Sequence, residues 1–212
     1  NTPDLLYYQC ENHEYMGYKI NVAGSVISHG TFIARLSGSS EVPPLATTGS
    51  GMVTATLDGD SLFLSGSFQN LSSNFNSQIQ GGAHIHMAYA GQNAGIIIPI
   101  NATLNSDNRS GTFDESNNRF ALTTSQKIAL AARRLYVNIH TINNPAGELR
   151  GQLLPESDAT FEAIVTGGSK VNAVNTMAYG TVVGEMQNDS LFITGSFAGL
   201  TEGYTASHLH LG

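Results

Sequence analysis

The chain has 212 residues, 41% of them hydrophobic and only 12% charged, with 23 glycines and a formal charge of −7, a composition for short strands and tight turns around a buried core. Nine Lys and Arg without a basic run argue against nucleic-acid binding, which needs clustered positive charge to displace phosphate counterions. The longest aliphatic stretch, Ile96-Ile97-Ile98-Pro99-Ile100, is too short to span a bilayer, and one cysteine excludes an internal disulfide framework.

In chain order, residues 5–22 read as an apolar strand delivering Cys10, a short loop with His13 and Met16, and a second strand after Gly17. Thiolate, imidazole and thioether are the ligand types of a blue-copper site. Their order resembles the C-terminal ligand loop of a cupredoxin, so residues 1–24 are expected to be the C-terminal remnant of a cupredoxin-like domain. That resemblance implies copper held by Cys10, His13 and Met16, with a further imidazole from outside the chain; the alternative is a buried free cysteine.

From residue 30 the pattern is strand-like. Val53, Ala55 and Leu57 alternate with Met52, Thr54 and Thr56, and Asp58-Gly59-Asp60 turns the chain into Leu62-Phe63-Leu64. A polar loop from Ser72 to Gln80 leads to His84-Ile85-His86. One helix is expected over Thr124–Arg134, capped by Ser125, with Ile128, Leu130 and Ala131 on its apolar side. A strand from Leu135 to Thr141, a turn at Asn143-Asn144-Pro145 and a strand from Glu148 to Leu154 follow, and residues 155–158 read as a linker.

The chain then repeats itself. Thr31-Phe32-x-Ala34 returns as Thr160-Phe161-x-Ala163, an offset of 129, which also carries Asp60-Ser61-Leu62-Phe63 onto Asp189-Ser190-Leu191-Phe192 and Gly66-Ser67-Phe68 onto Gly195-Ser196-Phe197. After a five-residue deletion, His84-Ile85-His86 matches His208-Leu209-His210. The expected layout is a complete β-sandwich over residues 30–155 and the N-terminal half of a second over 159–212, in a segment of a longer array. The fold class is all-β: Greek-key or immunoglobulin-like sandwiches in tandem, with one short helix in the first.

Residues i and i+2 of a strand share a face. His84 and His86 therefore project together, and so do Tyr136, Asn138 and His140. If those strands are neighbours, three imidazoles meet, a donor set that suits copper or zinc with a position left open. The alternative is that each ring bonds nearby carbonyls or polar side chains. His208 and His210 offer a second pair. Glu148 and Arg150 share a face and are expected to form an ion pair with each other or with Glu41, rather than to act in catalysis.

Phe32-x-Ala34-x-Leu36-x-Gly38, Glu41-Val42-Pro43-Pro44, Ala83-His84-Ile85-His86, Tyr136-Val137-Asn138-Ile139-His140-Thr141 and Gly147-Glu148-Leu149-Arg150-Gly151-Gln152-Leu153 together resemble the successive signatures of the CHRD (chordin-type) family, over residues 31 to 155. The resemblance implies a secreted or cell-surface sandwich module. The second copy departs from it, with Lys170-Val171-Asn172-Ala173 in place of Glu-Val-Pro-Pro. The sequons at Asn70, Asn101, Asn108 and Asn188 are candidate glycosylation sites.

The leading expectation is a non-enzymatic, metal-binding subunit of a surface array or fibre, self-associating or completed by neighbouring domains. Copper handling or electron transfer of cupredoxin type is the alternative. A superoxide dismutase-like metalloenzyme is a further one, by analogy with that enzyme's His-x-His strand.

Overall fold

Two-residue alternation dominates the chain, and the computed structural model is accordingly built of antiparallel strands. It describes residues 26–211 together with the backbone of 5–9 and 17–21. β1 (Leu5–Gln9) pairs with β2 (Gly17–Asn21), with Gln9 opposite Gly17. Cys10, His13 and Met16 lie outside the described residues.

The strands β3 (His29–Ser37), β4 (Ser50–Asp58), β5 (Ser61–Gln69), β6 (Ala83–Met87), β7 (Ile96–Pro99), β8 (Ala102–Leu104), β9 (Gly111–Phe113) and β10 (Arg119–Ala121) precede an α-helix, α1 (Thr124–Ala131), the single one among the described residues. After it come β11 (Leu135–Ile139), β12 (Leu149–Gln152) and the short β13 (Leu154–Pro155). All belong to one curled 11-stranded sheet ordered β7-β6-β11-β12-β3-β4-β5-β9-β8, with β10 on β5 and β13 on β3.

The predicted turn forms as expected. Asp58 faces Ser61, so Gly59-Asp60 is a two-residue hairpin loop, and Gly59 takes the left-handed φ of +63° that such loops need.

Alternation puts Phe32, Ala34, Leu36, Val53, Leu62, Leu64 and Phe68 on the inner face of one wing. They share a core with Ile85, Val137, Ile139 and Leu149 of the other, which makes the curled sheet sandwich-like. Strand β3 joins the wings. It pairs with β4 along its whole length and meets β12 at Ser37 opposite Arg150 and β13 at Ile33 opposite Leu154.

The helix forms where expected but is shorter, and its cap is Thr123 rather than Ser125. The Thr123 hydroxyl accepts from Gln126 N while Gln126 Oε1 accepts from Thr123 N, a reciprocal box that satisfies two otherwise orphaned amides. Its inward residues are Lys127, Ala129 and Leu130, whereas Ile128 is exposed. Lys127 buries its aliphatic stem and reaches Asp60 with its ammonium. Among the described residues no helix is long and apolar enough to cross a membrane.

A second sheet, β14 (Ala159–Thr166), β15 (Tyr179–Gln187) and β16 (Ser190–Ala198), follows. Its register reproduces that of β3-β4-β5 at the same sequence offset: Thr160 faces Glu185 as Thr31 faces Thr56, and Gln187 faces Ser190 as Asp58 faces Ser61. The connecting loop repeats too. Gly167 O accepts from Lys170 N and Val174 N, as Gly38 O accepts from Glu41 N and Leu45 N.

One face of this sheet packs on the main body. Val183 clusters with Ala90 and Leu154, Glu185 pairs with Arg133, and Ser196 Oγ donates to Ala90 O at 2.6 Å. The opposite face is left largely open, with Tyr204 stacked on Phe197: Phe161, Val165, Leu191 and Phe197 are exposed where Phe32, Leu36, Leu62 and Phe68 are core. His208 and His210, expected on a strand, lie in an exposed irregular segment. A strand exists through its ladder partners, and among the described residues none pairs with this segment.

Equivalent positions should therefore respond differently to truncation. Leu64 is 0% exposed and Ile193 is 44% exposed. Leu64→Ala is expected to cost about 2–5 kcal/mol in urea unfolding and Ile193→Ala under about 1 kcal/mol. Equal costs would mean that the second face is covered in solution.

Candidate metal centre

The strands β6 and β11 are neighbours, as the two-strand arrangement required. His84 faces Asn138 and His86 faces Tyr136 across the ladder. His140, one residue past β11, is held in line by its amide, which donates to Gly82 O at 2.9 Å. The rings converge, with centroids 5.0 Å apart for His84 and His140, 5.7 Å for His84 and His86, and 6.3 Å for His86 and His140. One nitrogen from each ring lies within 4.8 Å of the others. On the other side of β6 the register with β7 shifts between Ile85 and His86, a bulge of the kind that re-aims a side chain.

Each ring bonds one backbone carbonyl: His84 Nε2 to Gln80 O (3.0 Å), His86 Nδ1 to Ala94 O (2.9 Å) and His140 Nδ1 to Pro145 O (3.0 Å). A carbonyl only accepts, so each bonded nitrogen carries the proton and donates. The remaining nitrogens, His84 Nδ1, His86 Nε2 and His140 Nε2, hold free lone pairs, and all three are buried without a partner. Carbonyl bonding thus accounts for half of each ring. It leaves three electron-pair donors with no hydrogen to accept, in a class of group that is nearly always satisfied.

Burial also depresses the basicity of all three rings, and His140 is lowered to about 4, which keeps the set neutral. Neutral rings oriented by a carbonyl on the far nitrogen are the usual state of metal-ligating histidine.

The face around the triad is polar yet closed. Tyr136 stacks on His86 at 4.9 Å and 8°, its hydroxyl accepts from Ala94 N (3.2 Å), and the Arg150 guanidinium lies 3.6 Å over its other side. Arg150 in turn donates to Tyr89 O and Asn93 Oδ1.

Burial raises the Glu41 carboxyl to about 8 against the pull of nearby Arg150. Glu41 Oε1 and Asn138 Oδ1 are buried without donors. Residue pattern alone placed Asn138 on this face but gave Glu41 only an ion-pair role.

The expected ion pairs of Glu148 do not form. Its carboxylate instead accepts from Thr47 Oγ1, Ser72 N, Ser72 Oγ, Thr141 Oγ1 and Asn144 Nδ2. Burial pushes this group up, but the bonds from Ser72, Thr141 and Thr47 outweigh it and hold the carboxyl below its usual range. Glu148 is a tie between loops, with both carboxylate oxygens taken up by these bonds. His208 and His210 are exposed, with ring centroids 6.0 Å apart and no third imidazole beside them among the described residues. The sequon residues Asn70, Asn101, Asn108 and Asn188 are all exposed, three of them at left-handed turn positions (φ 56°, 54° and 51° for Asn70, Asn108 and Asn188).

A family model, the CHRD domain, matches residues 32–153. That span runs from β3 to the end of β12 and holds the whole triad with Glu41, Asn138 and Glu148. The chain belongs to the CHRD family. No curated protein and no solved structure matches it.

The two sets of shifted groups give opposite pH signatures in the metal-free protein. A histidine whose folded pKa lies below its unfolded value lets the unfolded state take the proton first, so stability falls as pH drops from 6.5 towards about 4. Relative to His140→Gln, the native chain should lose about 3 kcal/mol over that range. Glu41 acts the other way: its raised pKa stabilises below 4.5, and that contribution is lost as pH rises through about 8. Urea titrations of His140→Gln and Glu41→Gln against the native chain across pH 4 to 9 check both slopes. Parallel curves would contradict the burial of these groups.

Proposed function

We propose that the domain binds one transition-metal ion, copper or zinc, through His84 Nδ1, His86 Nε2 and His140 Nε2. The observation that carries this reading is the set of three buried, unpartnered lone pairs, each fixed by a carbonyl on the opposite ring nitrogen. Imidazole donors suit either ion, and three of them leave a coordination position open.

The role is binding and structural rather than catalytic, in a secreted or cell-surface protein, the setting in which CHRD domains typically occur. The repeated register of the second sheet supports its reading as a second copy of the domain. The exposed core-type residues of its open face support self-association or completion by a neighbour in a surface array, with sugars on the exposed sequon asparagines.

Metal-free protein titrated with copper(II) or zinc(II) is expected to take up an ion that His84→Ala and His140→Ala release. At a free concentration one hundred times Kd, the ion should stabilise the fold by about 2.7 kcal/mol. A chain that takes up neither ion, with unfolding indifferent to chelator, would overturn the proposal.

A second reading, copper handling of cupredoxin type, is favoured by the pairing of β1 and β2, which leaves residues 10–16 as the connection between two antiparallel strands. Cys10, His13 and Met16 are the ligands it takes from this chain, with a second imidazole supplied from outside it. The copper-loaded chain should then show an intense visible thiolate-to-copper band that Cys10→Ser abolishes. A spectrum unchanged by that substitution would sink it.

A further inference from the structure

Once the triad's lone pairs are assigned to an ion, two buried, unsatisfied oxygens of the same face meet at one point beside Gly147. They are Asn138 Oδ1 and Glu41 Oε1. Asn138 lies directly across the ladder from His84 and two residues from His140, with all three side chains on one face. Glu41 is brought there by the loop that follows β3. Both oxygens lie 2.6 Å from the point where a Cβ on Gly147 would stand, and Gly147 has a φ of +136°. Glycine at 147 thus leaves the two oxygens facing a common small space that any side chain would fill.

The three imidazole nitrogens and the two oxygens that meet at Gly147 are each buried without a hydrogen-bond partner. An ion satisfies the nitrogens. The two oxygens need hydrogens, and a water molecule on the open coordination position carries two.

We propose that the ion at the triad keeps an exchangeable ligand, a water that small anions displace, and that Glu41 and Asn138 hold this water over Gly147. The proposal rests on the metal reading of the triad. Glu41 and Asn138 are positioning residues and do not ligate the ion. The second sheet carries Lys170 at the position equivalent to Glu41, so this holder belongs to the first unit alone.

The test uses the full chain loaded with copper(II), with azide as the probe, read by its azide-to-copper charge-transfer band and by electron paramagnetic resonance. Native protein should show a saturable azide band, and His140→Gln should lose it. Glu41→Gln offers an amide donor in place of the carboxyl, so azide should bind about tenfold tighter, the worth of one hydrogen bond. Asn138→Leu should likewise tighten azide by releasing the water. Copper uptake should persist in both variants, because the three imidazoles and the carbonyls that orient them are untouched.

Copper uptake with no azide response, or azide affinity unaltered in both variants, would overturn this proposal and leave the triad reading standing. Loss of copper in Glu41→Gln as severe as in His84→Ala would also overturn it, by making Glu41 a ligand. A chain that takes up no copper removes the triad reading and this one together.

Discussion

An imidazole that gives one N–H to a carbonyl has no freedom left in its other nitrogen, which must present a lone pair. Gln80, Ala94 and Pro145 impose that condition on His84, His86 and His140. The chemistry of the polar face follows from where those three carbonyls are held. Each belongs to a loop, and each loop is tied down. The first passes so close to Phe75 that a Cβ on Gly82 would come within 2.4 Å of the ring, and Gly82 takes a left-handed φ of +85°. The third is gripped by Glu148, whose carboxylate collects bonds from Ser72, Thr141 and Asn144. A substitution at Glu148 would act on the triad without touching it.

The hydrophobic core sets the register of the same strands. Ile85, Val137 and Ile139 point into it, which sends His84, His86, Tyr136 and Asn138 to the other face. A slip of one residue would put imidazoles in the core and aliphatics on the polar face, so the apolar burial that folds the domain also sets the spacing of the donors. Both faces of β6 and β11 are buried, one against aliphatics and one under loops.

Much of this was legible in the residues because strands have a period of two. The shared face of His84 and His86, that of Tyr136, Asn138 and His140, and the hairpin at Gly59 all follow from alternation and turn chemistry, whereas the pairing of the two histidine-bearing strands comes from the ladder. The carbonyls that orient the rings were not legible, since backbone groups carry no residue identity. The bulge opposite His86 was hidden within an unbroken run of isoleucines. Glu148 and Arg150 invited pairing by charge, yet hydroxyls and carbonyls reached them first. The cap at Thr123 prevailed over Ser125 because only a residue three before Gln126 can close the reciprocal box. His208 and His210 carry the same motif as His84 and His86, but a motif becomes a strand only where another strand meets it.

The segment between β6 and β7 does two jobs with one short length of backbone. At Ala94 it fixes His86 through its carbonyl and Tyr136 through its amide; at Ala90 it receives Ser196 of the second sheet, and Val183 packs beside it. Gly91 is pressed so close to Ser196 and Thr181 that a methyl group there would collide. If the triad holds the proposed ion, its occupancy and the seating of the second sheet share a mechanical element. Whatever free energy one lends to the ordering of this segment, the other feels in equal measure, since linkage between two sites is reciprocal. Loading such an ion would stiffen the joint between the two sheets, and straining the joint would loosen the ion.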